Sequence, residues 1–213
     1  MRPQPETVTT PPRMRRAVLL VLVITFLMGM MSAAEAFGLG SLEQHRHRVE
    51  DAHGLSFLGD PGLWAAANNA QMSALEEMKA TRGLVLGALA SACLVGFFSA
   101  LRLLRPEGVA REALRRVLVA SLLVAAVLRT IDGAQWAVVA QRSMRAALAH
   151  LQQLDPGQGA SMAVPDSLSQ PLTLTLVLAH TAIVVGVLLV LAQYFRSEKV
   201  KQFVALQDQQ LER

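Results

Sequence analysis

Only one cysteine, Cys93, occurs in the chain, so it cannot form a disulfide within itself, and cysteine usage says nothing about the redox compartment. The local signatures of catalysis are missing too. There is no HExxH, no GxSxG, no Walker A loop and no CxxC. No cofactor motif is present, and the expected cofactor complement is none. An enzyme built from dispersed intramembrane groups is still conceivable, but nothing in the sequence favours one. Lysine is scarce, with Lys79, Lys199 and Lys201 the only ones among 20 basic residues; this looks like base composition and carries no functional meaning. No internal repeat is visible, and the only biased segment is the Pro/Thr-rich lead.

Charge is the most informative absence. It is missing from Ala17–Ala34 and from Gly83–Leu101. It is missing from Val117–Leu128, beyond which apolar residues resume after Arg129 and Asp132 and run to Ala140. It is missing again from Leu172–Tyr194, apart from His180. A bilayer crossing needs about 20 apolar residues as a helix, because lipid cannot satisfy exposed backbone groups. The chain is 53% hydrophobic, with a mean hydropathy of +0.38. Such a composition excludes an ordinary soluble domain.

These runs predict an all-α membrane protein: a four-transmembrane-helix bundle with helices 2 and 3 extended into a small extracytoplasmic helical cap. The segments are a disordered basic lead (1–16), a first span (17–37), an outer helical loop (38–82) and a second span (83–104). A cytoplasmic turn (105–116), a third span (117–140), an outer helix and loop (141–171), a fourth span (172–195) and a cytoplasmic helix (196–213) follow. A continuous helix is expected from about Trp64 to Leu104, and another from about Val109 to Leu154, because no proline interrupts either. The first span has a second reading as a signal peptide. Arg13, Arg15 and Arg16 form a basic start, and Ala34-Glu35-Ala36 is a cleavage pattern. The run is long for that role, and Gly29 and Ala33 suit helix packing, so retention is the expectation.

The net charge of +4 could point to nucleic acid, but 13 of the 20 basic residues lie in the three segments that a four-span threading puts on one side. By the positive-inside rule both termini are cytoplasmic. The expected location is a cell membrane, the inner membrane of a bacterium. The expected partners are the lipid bilayer and other membrane proteins or a second copy, with no nucleic acid.

Depth along the helices selects a candidate site. At 1.5 Å per residue, Arg129 and His180 each lie about 12 Å from the outer edge of a core about 30 Å thick, and Asp132 lies nearby. Ionisable residues inside a membrane are costly and tend to face a bundle interior or a wet cavity. Arg129, Asp132 and His180 are therefore the intramembrane polar cluster to examine, with Glu35 within reach if the first span is retained. The bland alternative is an i,i+3 pair that neutralises itself, with His180 as polar glue. Gly83, Gly87 and Ser91 follow small-xxx-small spacing and are the expected helix-packing face. In the outer loop His47, Asp51 and His53 are weak metal candidates. No two histidines there are spaced i,i+4, and Arg46 and Arg48 would repel a cation, so no metal is expected.

Three functions fit these features. One is a non-catalytic membrane subunit or scaffold. Another is an ion- or proton-coupled transporter using Arg129, Asp132 and His180. The third is an extracytoplasmic sensor. The absence of stronger signals favours the first.

Overall fold

A computed structural model describes residues 12–41, 61–104, 111–154 and 166–211. All the elements among these residues are helices. They are α1 (Pro12–Gly40), α2 (Pro61–Glu77), α3 (Lys79–Leu104), α4 (Arg111–Leu154), α5 (Asp166–Arg196) and α6 (Glu198–Leu211). Four of them, α1, α3, α4 and α5, are long and apolar enough to cross a membrane. The charge-free runs of the sequence lie inside them. At 44 residues α4 is about 66 Å long, roughly twice the hydrocarbon thickness.

The boundaries follow local chemistry. Pro12 opens α1, where its missing N–H costs nothing and its fixed φ suits a helix. At the other end the Ser41 N–H closes a turn onto the Gly38 carbonyl at 3.1 Å. The helix expected from about Trp64 to Leu104 has a one-residue interruption at Met78, between α2 and α3. Hydrogen bonding continues through it, from the Met78 N–H to the Ala74 carbonyl at 3.3 Å and from the Arg82 N–H to the Met78 carbonyl at 2.8 Å. The helix that carries the fourth apolar run starts before it: α5 begins at Asp166 and takes in Pro171 within its opening turns.

Each long spanning helix contributes residues to two compact units. The first contains the start of α1, residues 89–127, the end of α5 and α6. Its core includes Val18, Val21, Leu118, Leu122, Leu188 and Phe195, all essentially fully buried. Small and hydroxylated residues let its helices approach closely. A Cβ at Gly96 would lie 3.0 Å from Ser121 Oγ and 3.4 Å from Thr25 Cγ2, and one at Gly29 would lie 3.1 Å from Cys93 Cβ. The buried Thr25 and Ser121 hydroxyls donate back to the Val21 and Leu118 carbonyls at 2.7 and 2.8 Å, so neither is an unmet polar group. Phe26 and Phe97 pack with ring centroids 5.9 Å apart.

At one end of this unit α6 is fixed onto α4. Asp208 accepts the Arg111 and Glu112 N–H groups at 3.0 and 3.1 Å, giving two of the orphan donors at the helix start a carboxylate from α6. Arg115 is buried; it donates to the Phe195 carbonyl at 2.6 Å and forks onto both oxygens of Glu112 at 2.7 Å. Val200 and Val204 of α6, four residues apart and so on one face of the helix, are buried.

The second unit contains residues 32–88 and 128–184. Leu39, Ala74, Leu75, Leu86 and Val139 form its core, with Ala36, Met72, Met78 and Trp136 packed on it. Ser143 Oγ donates to the Ala67 carbonyl at 3.0 Å, and Arg142 pairs with Glu77, so α2 and α4 are joined by polar contacts as well. Residues 42–60 of the expected outer helical loop lie outside the described residues.

Candidate functional site

The second unit contains a buried four-member ion network drawn from α1, α3 and α4. Its centre is Asp132, fully buried on α4. Asp132 Oδ2 accepts from Arg129 Nη1, one turn earlier on the same helix. Its Oδ1 lies 3.1 Å from Arg82 Nη2 of α3, and that nitrogen also donates to Glu35 Oε1 of α1. Helix geometry produces the i,i+3 contact, while three-helix packing produces the other two.

Arg82 is the unusual member. It is 0% exposed and is the largest fully buried side chain in the described residues. Burying an unpaired guanidinium would be prohibitive, but this one has two carboxylates beside it and the Trp136 ring face 4.5 Å from its Cζ. Arg129 and Glu35 lie toward the edges, at 19% and 30% side-chain exposure. Two acids and two bases leave the cluster with no net charge. Among the described residues, Arg82 Nε and Nη1, Arg129 Nε, Asp132 Oδ1 and Gln135 Oε1 make no hydrogen bond, so ion pairing alone does not exhaust the polar capacity there.

Gly133 allows α5 to come close beside Asp132. A Cβ built on it would overlap the Thr181 side chain, 3.0 Å from Thr181 Cβ. Thr181 is buried, and its hydroxyl donates to the Val177 carbonyl at 2.9 Å. α5 therefore supplies a methyl and a self-satisfied hydroxyl at this point, with no additional charge.

The structure joins Arg129 to Asp132 as the spacing suggests, and Glu35 reaches the network. His180 is not brought to it. It is exposed on α5, one residue from Thr181 and therefore about 100° around the helix. Arg82 is the member that sequence reasoning missed, since it falls at the last position of the expected outer loop, 38–82. One signal was available: Glu35 and Arg82 lie at the two ends of the segment that joins the first two apolar runs, with opposite charge.

The expected packing face of α3 is not a site of close helix approach within the described residues. A Cβ at Gly83 or Gly87 would meet nothing within 4 Å, and Ser91 is exposed. The close approaches use Gly29, Gly96 and Gly133 instead. His47, Asp51 and His53 lie outside the described residues. Within the described residues no group of three or more His, Cys, Asp or Glu side chains is placed to hold a metal. No family model matches the chain, and neither a curated protein nor a solved structure matches it.

Proposed function

We propose that this protein is a non-catalytic membrane subunit or scaffold, threaded with both termini cytoplasmic and residues 38–82 and 141–171 outside. One observation carries the functional reading. Its intramembrane charges compensate one another: Asp132 and Glu35 against Arg82 and Arg129. A self-neutralising network spread over three helices locks their register, and the best-attested role for such buried ion pairs is specifying one arrangement. Along Gly83 and Gly87, where a Cβ would meet nothing within 4 Å, α3 is suited to the close approach of another membrane protein's helix. In this reading α2 and the outer part of α4 form a small extracytoplasmic cap. The threading rests on the charge asymmetry of the loops, and labelling of a cysteine at residue 110 from outside would reverse it.

Gly87→Leu tests the functional reading directly. The position is exposed and a Cβ there meets nothing within 4 Å, so the melting temperature of the purified protein should change little. Proteins that co-purify with the wild-type chain from native membranes should be lost or strongly reduced. Recovery of the same partners in the same yield would remove this face from the proposal.

Ion-coupled transport is the second reading. It is favoured by the unbonded Arg82 Nε and Nη1 and Asp132 Oδ1, groups that water entering the bundle would serve.

A further inference from the structure

We propose that the α5 face carrying His180 is the docking surface for a second copy of this chain, with the two imidazoles paired across a twofold axis. The inference rests on the subunit reading and names one of its partners.

Of the four spanning helices α5 is the least covered by its own chain, with 17% of its most apolar window buried. Leu176 and Ile183 are 70% and 68% exposed, and Ala179 and His180 are exposed between them. These four residues stand at i, i+3, i+4 and i+7, the spacing that lays one helix along another in left-handed packing. An apolar seam alone would simply face lipid. His180 sets this one apart, because it stands in the second turn of the apolar stretch Leu174–Arg196. No hydrogen bond, ion pair or ring contact within the described residues involves it. Lipid offers an imidazole no partner, and an unmet polar group in hydrocarbon costs several kcal/mol.

The chemistry of the group selects the occupant. A neutral imidazole holds one donor and one acceptor, so of two that meet, one donates its N–H to the bare ring nitrogen of the other across the contact. A second copy inserted in the same orientation carries its imidazole at the same depth automatically. Two identical patches about an axis along the membrane normal make the isologous contact typical of dimers. Ala179 beside His180 keeps the seam low enough for the helices to approach.

The test uses the full chain with Cys93→Ala as a cysteine-free background. Ala179→Cys and Ile183→Cys are introduced singly and oxidised in native membranes, with Val23→Cys, exposed on α1, as the control. The expected result is a disulfide-linked dimer of this chain from both α5 positions and none from Val23→Cys. Subunit counting in phosphatidylcholine vesicles should show dimers that dissociate on lipid dilution. His180→Leu should shift the midpoint about threefold to tenfold toward monomer, the size expected of an interhelical hydrogen bond in a membrane, and His180→Gln should recover part of it. Monomers at every dilution, or equal crosslinking at all three positions, would overturn the proposal. So would crosslinking of Ala179→Cys to a different polypeptide, though that outcome would leave the subunit reading standing. Loss of partners from both this face and the Gly87 face would end both.

Discussion

Asp132→Leu is expected to be the most damaging single substitution in the protein. It leaves two arginines, one of them fully buried, with only the partly exposed Glu35 as counter-charge. Breaking a buried ion pair by removing one partner costs about 3–5 kcal/mol in soluble proteins, because a charge is left uncompensated. Arg129→Leu should cost less than Asp132→Leu. Arg129 has some exposure, and without it Asp132 still faces Arg82. The double variant Arg129→Leu/Asp132→Leu restores neutrality, since Arg82 and Glu35 remain as a pair, and it should be more stable than Asp132→Leu alone. Unfolding of the purified chains in detergent, arranged as a double-mutant cycle, measures the coupling. Additive effects of a few tenths of a kcal/mol would mean that both charges reach water and that the network holds nothing together. If the variants fold, the double mutant also separates the two functional readings. A scaffold keeps its partners without these charges, whereas an ion relay is lost with them.

Height along the helices was legible in the sequence, and direction around them was not. Long charge-free runs locate α1, α3, α4 and α5, because bilayer thickness sets a length that few other structures need. The same arithmetic put Arg129, Asp132 and His180 at one depth. Depth carries no azimuth, however, and neighbouring residues on a helix point about 100° apart. Thr181 thus takes the inward place beside Gly133 while His180 points out. The glycines teach a related lesson. Small-xxx-small spacing marks where helices are able to approach, and α3 has a second such line, Ala92 and Gly96, beside Gly83, Gly87 and Ser91. The chain uses the one through Gly96, against Thr25 and Ser121, and leaves Gly83 and Gly87 open. Arg82 was hidden for a different reason. A basic residue at the end of an apolar run ordinarily reaches the interface by extending its stem, and only the approach of Glu35 and Asp132 from two other helices turns it inward.

Removal of the first span should abolish the fold. A chain beginning at Phe37, as cleavage after Ala34-Glu35-Ala36 would produce, lacks more than a membrane anchor. It lacks Glu35, which supplies one of the two carboxylates beside Arg82. It also lacks Met14, Val18, Val21 and Thr25 from the buried interior, and Gly29 with its close contact to Cys93. In lipid such contacts stabilise through van der Waals packing and close helix approach, and all of them are lost together. α1 moreover continues as a helix through the cleavage pattern to Gly40. Mass spectrometry of the protein from its native membrane should therefore find peptides from residues 17–36, and a mature chain starting at Phe37 would refute retention. A replacement experiment distinguishes targeting from structure. A foreign, uncleaved apolar span of the same orientation in place of residues 17–36 should still insert the chain, yet give material that aggregates or is degraded. Glu35→Gln in the full chain should be far milder, because the amide oxygen still accepts a hydrogen bond from Arg82 and the position is partly exposed. If the foreign span supported normal yield and melting, the contacts of α1 would be dispensable and the network would need only α3 and α4.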